Sequence, residues 1–182
     1  MVIPPAPCLW TWFAGGSVGQ IGGDWDEEIY TLQVGAEFGC PDAACTQAVY
    51  LEVGFTEKDE TFAFQNPIPS LPDLKGHETT QIIPITLNYK YECSLTDQLN
   101  WYVGAGAGVA VVDFDIRDNT GNRSHHDTKF YAHVFAGLVY NLSQSLELFG
   151  GARYIHMDSV FGGQSSPVDN EFHYELGARF NF

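Results

Sequence analysis

The sequence predicts an all-β chain of eight antiparallel strands, closed up-and-down into a transmembrane β-barrel. Three observations carry this expectation. Phe172, Tyr174, Leu176, Ala178, Phe180 and Phe182 alternate strictly with Glu171, His173, Glu175, Gly177, Arg179 and Asn181. Such a period of two belongs to a strand lying between two different environments. Similar runs recur along the chain, joined by connectors that are alternately short and long, the rhythm of an even-stranded meander. No run of about 18 apolar residues occurs, so no transmembrane helix is expected.

The runs fall near 9–20, 29–39, 46–57, 80–92, 100–116, 128–142, 145–157 and 170–182. In the first, Trp10 and Trp12 share one face. The second sets Tyr30, Leu32, Val34, Ala36 and Phe38 against Thr31, Gln33, Gly35 and Glu37. The third sets Val49, Leu51, Val53 and Phe55 against Tyr50, Glu52, Gly54 and Thr56. In the fourth, Ile83, Ile85, Leu87, Tyr89 and Tyr91 oppose Thr86, Asn88 and Lys90. Pro84 lies inside this run and removes a ladder donor, so a bulge or a broken bond is expected there. The fifth places Gly104, Gly106 and Gly108 on the polar face, leaving room for long side chains from other strands. The sixth carries Phe130 and Tyr140, and the seventh sets Leu146, Leu148, Ala152 and Tyr154 against Glu147 and Arg153. Connectors 40–45, 93–98 and 143–144 are tight. Those at 66–81, with Pro67, Pro69 and Pro72, and at 119–127 are read as long loops.

Alternation alone does not say which face meets lipid, because a soluble lipid-binding barrel alternates with its greasy face inward. Charge decides. The apolar faces carry essentially none, and a charge there would cost about 2–4 kcal/mol at a bilayer midplane. Aromatics gather toward the ends of the apolar face. Trp10, Trp12, Phe38, Tyr91, Trp101, Tyr140 and Phe182 lie on the turn side, with Tyr30, Phe130, Tyr154 and Phe172 toward the loops. They form the expected interfacial girdles. With Asp+Glu 23 against Lys+Arg 8 the net charge is -15, which excludes nucleic acid as a partner. Mean hydropathy is -0.12, compatible with a barrel because only one face of each strand is greasy. One domain, 1–182, is expected, with a short tail at 1–8. No basic, apolar leader precedes Cys8, so a secretion signal is expected to have been removed or to be absent from this chain.

Trp12–Gly19, Ile83–Tyr91, Trp101–Gly108 and the terminal Phe182, in this order and spacing, resemble the small bacterial outer-membrane barrels of OmpA-type and Opa-type. The resemblance implies outer-membrane localisation, periplasmic termini and extracellular long loops. It also implies that Tyr174, Leu176, Phe180 and Phe182 belong to a signal read by the barrel-assembly machinery. Outer-membrane lipids and lipopolysaccharide would surround the wall, with an extracellular ligand reached through the loops. It implies no particular activity, since the fold hosts several.

Eight strands leave an interior that side chains nearly fill. Glu37, Glu52, Lys90, Glu147, Arg153, Glu175 and Arg179 are therefore expected to meet as an ion-pair network that plugs the lumen. The cysteines Cys8, Cys40, Cys45 and Cys93 all fall at the turn end, where disulfides are the default in an oxidising compartment. Proximity favours Cys40–Cys45, leaving Cys8–Cys93, among three possible connectivities. The loops are acidic, with Asp24, Asp26, Glu27 and Glu28 in one cluster and Glu57, Asp59 and Glu60 in another. Such a rim repels lipopolysaccharide phosphates unless divalent cations bridge them.

The predicted function is a non-enzymatic outer-membrane barrel with a plugged polar lumen, serving envelope structure or adhesion. The rival is a lipid A deacylase, suggested by His156 on the outward face near Ser159. In such deacylases the Ser follows two positions after the His, where this chain has Asp158, so the nucleophile is misplaced. A soluble lipid-binding barrel stands third. His125-His126-Asp127 reads as a solvated loop rather than a metal site, no nucleotide, haem or flavin motif occurs, and no cofactor or catalytic residue is assigned.

Overall fold

The computed structural model describes residues 8–23, 25–40, 43–64, 74–118, 121–159 and 171–182. The strands are β1 (Leu9–Ile21), β2 (Glu28–Gly39), β3 (Cys45–Phe64), β4 (Leu74–Ser94), β5 (Leu99–Asp118), β6 (Gly121–Asn141), β7 (Leu146–Ser159) and β8 (Glu171–Asn181). Each pairs antiparallel with the next, and β8 returns to β1 to close the barrel. The closing seam runs from Phe13↔Asn181 to Ile21↔His173. Beyond it the Phe182 amide donates to the Trp12 carbonyl at 2.8 Å, so the ladder continues to the last residue.

Alternation places the greasy face outside. Leu32, Leu176 and Phe182 are 73%, 70% and 69% exposed, while Thr31, Glu175 and Arg179 beside them are buried. A continuous apolar belt of this kind is stable only against lipid. Trp10 packs on Phe38 with centroids 5.2 Å apart, Tyr91 on Trp101 at 6.3 Å and Tyr154 on Phe172 at 5.2 Å.

Two hairpins are much longer than the sequence reading allowed. β3 to β6 have 20 or 21 residues, whereas about 9–11 suffice to cross a bilayer. Pairing of β2 with β3 stops at Ile29↔Thr56, and the described pairing of β6 with β7 reaches Lys129↔Ser159. The β3–β4 ladder nevertheless runs on to Phe64↔Leu74, and the β5–β6 ladder to Asp118↔Gly121. A four-stranded sheet thus rises roughly 25 Å beyond the wall. The loops read at 66–81 and 119–127 are therefore corrected: 74–81 and 121–127 are strand. Above the lipid both faces meet water, so the alternation that marks a wall strand vanishes although the backbone still pairs. Pro67, Pro69, Pro72 and the N-terminal residues 1–7 lie outside the described residues.

At Pro84 the ladder breaks without a bulge. The β3–β4 pairing steps from Val53↔Ile85 to Thr56↔Ile82 with register unchanged. Gly54 faces the proline ring, and a Cβ there would lie 2.9 Å from Pro84 Cγ.

The disulfides are Cys8–Cys40 and Cys45–Cys93, which corrects the connectivity favoured by proximity in sequence. Cys45 and Cys93 are direct cross-strand partners, and Cys8 continues β1 past Leu9↔Gly39 to face Cys40. The β2–β3 ladder ends at Phe38↔Gln47, so Cys40 and Cys45 belong to different seams. Proteolysis of unreduced protein followed by mass spectrometry should return peptides linking Cys8 to Cys40 and Cys45 to Cys93. A Cys40–Cys45 peptide would contradict this register.

Candidate functional site

The lumen is filled in layers, and Arg153 on β7 holds the middle one. Its Nη2 donates to Glu52 Oε2 at 2.8 Å and to Glu175 Oε2 at 2.9 Å. Nη1 donates to Glu52 Oε1, and Nε to Glu175 Oε1 at 3.1 Å. One guanidinium therefore gathers carboxylates from β3 and β8, with the Phe135 ring 5.4 Å from its carbon. Ser17 Oγ donates to Glu175 at 3.0 Å and pairs with the Thr31 hydroxyl at 2.7 Å. A planar fork is the side chain that can bond two carboxylates at once.

The second ionic layer lies toward the turn end. Arg179 Nε donates to Glu147 at 2.7 Å and its Nη2 to Glu37 at 2.7 Å. Lys90 donates to Glu92 at 2.5 Å, Asn100 to the other Glu92 oxygen at 2.7 Å, and Asn181 to Glu147 at 2.5 Å. Between the layers pack Phe13, Tyr50, Tyr102 and Phe135, leaving a void of about 20 Å³, room for a single water. Gly104 and Gly106 admit neighbours' side chains: a Cβ would lie 2.3 Å from the Phe135 ring and 1.9 Å from Asn88 Oδ1, respectively. Gly108 instead meets the Ile85 carbonyl at 2.0 Å, where only backbone needs the space.

The end of the lumen opposite the short turns is apolar rather than polar. The β1–β2 connection tucks Trp25 inward, 3% exposed, onto Ile21, Ile29, Ile82, Val112, Ile155 and Met157. Its indole Nε1 donates to Thr56 Oγ1 at 3.0 Å. This greasy cap stands beside the ionic network and adds an apolar layer that the alternation did not signal. Trp25 escaped the sequence reading because it follows Gly22-Gly23 in a connector, where alternation assigns no face. Glu92, Ser17, Thr31 and Asn100 were also missed as network members. Glu92 could have been found, since it sits two residues beyond Lys90 on the same face. His133 and His173 are buried in the lumen too, with His133 Nε2 3.4 Å from Arg153 Nη1.

Above the wall, the outward face of the sheet is a polar grid. One row reads Glu57↔Gln81↔Asp113↔His126 and the next Asp59↔Thr79↔Asp115↔Ser124. Gln81 donates to Glu57 and Thr79 to Asp59, each at 2.7 Å. His125 and His126 are strand neighbours, opposite Phe114 and Asp113, so they point to opposite faces and do not converge on one ion. The Asp113 carboxylate bonded to His126 holds its imidazole above the usual range, first through the hydrogen bond and then through charge.

A side-chain-filled lumen, a lipid-facing belt and a closed eight-stranded ladder describe a membrane barrel, and one match decides which kind. The family model described as "Outer membrane protein beta-barrel domain" matches residues 10–182. The chain belongs to this family. It is thus an outer-membrane β-barrel, a protein of the bacterial outer membrane. The solved structures share its fold at low identity. The major outer membrane protein of Thermus thermophilus is 14% identical, TM-score 0.60, over 96% of this chain and 100% of that one. Ail, the attachment invasion locus protein of Yersinia pestis, in complex with the heparin analogue sucrose octasulfate, is 15% identical, TM-score 0.53, over 95% and 97%. The N-terminal β-barrel domain of Pseudomonas aeruginosa OprF is 16% identical, TM-score 0.50, over 94% and 97%. None of the curated proteins is similar enough in sequence to match.

In this outer-membrane barrel, His156 lies exposed on the outward face opposite Ala132. The ladder runs unbroken from Ala132↔His156 to Lys129↔Ser159, so no bulge intervenes between them; the side chains of Asp158 and Ser159 lie outside the described residues.

Each ionic layer holds one carboxylate more than it has cations, so losing a cation is costly. Arg153→Met should destabilise the barrel by about 3–5 kcal/mol in urea unfolding in lipid, because Glu52 and Glu175 are left buried and unpaired. A loss below about 1 kcal/mol would place those carboxylates in water. For His126, a titration followed by NMR should give a midpoint above 6.5 that returns toward the ordinary value in Asp113→Asn. The bond thus strengthens as pH falls and weakens as pH rises through that midpoint. An unchanged midpoint in the variant would remove Asp113 as the cause.

Proposed function

We propose that this outer-membrane barrel is a non-enzymatic surface protein, a closed anchor that displays the β3–β6 sheet for cell-surface interaction. All of 1–182 would serve as one domain, with periplasmic termini and the long hairpins outside. The aromatic rows would be interfacial girdles, and Tyr174, Leu176, Phe180 and Phe182 the strand read by the assembly machinery. The observation that carries the reading is the sheet standing beyond a lumen closed by Arg153, Arg179 and Trp25. A sealed interior leaves outer surfaces as the place to act. The grid's carboxylates Glu57, Asp59, Asp113 and Asp115 select a basic or neutral partner and disfavour polyanions. Envelope structure through lipopolysaccharide contacts is the passive share of the same role. For the deacylase rival, the unbroken ladder between His156 and Ser159 supplies no route that brings them together.

Cells displaying the protein should bind surfaces coated with basic proteins and not heparin. A variant with 58–79 and 114–125 replaced by tight turns should still show heat-dependent gel migration yet bind no better than empty-vector cells. Undiminished binding would sink the display role. Lipid A mass spectra should be the same with wild type and vector, whereas acyl loss abolished by His156→Ala would install the deacylase instead. Planar bilayers should show no large steady conductance.

A further inference from the structure

The outer wall is not uniformly bulky. Side by side on its lipid face stand Ala178, Gly16 and Leu32, paired in register across β8, β1 and β2. The next row toward the loops is Leu176, Val18, Tyr30 and Phe55. Small residues between larger ones leave a shallow, open apolar groove walled by Leu32, Val53 and Leu176. Gly16 is needed here, since a Cβ would come 2.9 Å from the Thr31 carbonyl and 3.2 Å from Leu32 Cδ2.

One row further, the same face turns acidic. Gln20 pairs with Glu28, and a second pocket of about 430 Å³ is lined by Asp26, Glu27, Glu28 and Glu57 together with Gln20 and Thr56. Tyr30 and Phe55 belong to both hollows, so the apolar groove opens directly into the acidic pocket. The donors present there are neutral: Tyr30 Oη to Glu28 at 2.5 Å, Gln20 to Asp26 at 2.8 Å and Gln81 to Glu57 at 2.7 Å. Among the described residues no Lys or Arg lines this pocket. Carboxylates crowded at the mouth of an apolar groove complement one kind of occupant. It has a hydrocarbon tail and a cationic head.

We propose that this groove seats one lipid of the outer leaflet whose head carries a primary amine. A chain lies over Gly16 and Ala178, and the amine sits among Asp26, Glu27, Glu28 and Glu57. The assignment rests on the reading above in placing the long hairpins, and hence this end of the wall, outside. Like-charge repulsion among the carboxylates falls when the amine arrives, so binding is selective for the head and not only for the tail.

The test reconstitutes the whole protein in phosphatidylcholine vesicles holding a trace of spin-labelled lipid. The label is carried on one pair of chains with an ammonium, a phosphocholine or a phosphate head. Electron paramagnetic resonance reads the immobilised fraction. The ammonium lipid should be enriched at the protein over phosphocholine on the order of fivefold, as for a few charges acting at a membrane surface, and the phosphate lipid depleted. Glu27→Gln, Glu28→Gln and Glu57→Gln together should abolish the preference. Asp113→Asn, Asp115→Asn and Asp127→Asn, the same change of charge on β5 and β6, should keep it. Ala178→Leu, which fills the groove without touching a charge, should reduce the ammonium fraction to the phosphocholine level. Equal loss in both charge variants, or enrichment that survives Ala178→Leu, would overturn the site in favour of general attraction to an acidic protein. Immobilisation of an added cationic amphipathic peptide, with no enrichment of the ammonium lipid, would assign the groove to a peptide and overturn the lipid. Heat-dependent gel migration is read on every sample. A wild type that never inserts overturns the membrane reading itself, whereas insertion without enrichment overturns only this site.

Discussion

The closure of β8 onto β1 is the constraint from which the rest follows. Hydrocarbon offers no water to an unpaired N–H or C=O, so a sheet can cross it only without edges. Once closed, every wall strand must put one side chain into lipid and the next into the lumen. The apolar belt and the ionic layers are therefore two products of one ladder. Among the described residues only the gap at Gly54 and Pro84 interrupts a wall seam, and there proline and glycine meet without a shift of register.

Enclosing polar residues in so narrow a tube has a cost that pairing must offset. Arg153 and Arg179 do this by bonding two carboxylates apiece while lying against aromatic rings, Phe135 at 5.4 Å and Phe13 at 4.6 Å. The end opposite the short turns uses a different device. Trp25 and the Ile–Val–Met cluster exclude water by packing rather than by charge.

What the sequence made legible follows the same divide. Wherever lipid lay on one side and lumen on the other, alternation named both the strand and the facing of its residues, as for Glu52, Lys90 and Arg153. Above the wall the two sides of a strand meet the same solvent, and composition then reads as loop; hence 74–81 and 121–127 were missed. Trp25 sits in a connector whose path only tertiary packing decides. The cysteines show a third limit. Closeness along the chain suggested Cys40–Cys45, but in a meander the nearest neighbours in space lie across the ladder, and Cys93 is opposite Cys45.

Those two bridges alter the molecule's covalent topology. Cys8–Cys40 and Cys45–Cys93 span 32 and 48 residues of sequence, yet along the cross-linked path only the turn between Cys40 and Cys45 separates them. The turn ends of the first four strands thus become a single short covalent rim. Thermal breathing that breaks hydrogen bonds along these seams cannot let the strand ends drift apart at that rim. The second half of the barrel has no such tether among the described residues, so the molecule's mechanical compliance is unequally divided, stiff through β1–β4 and softer through β5–β8.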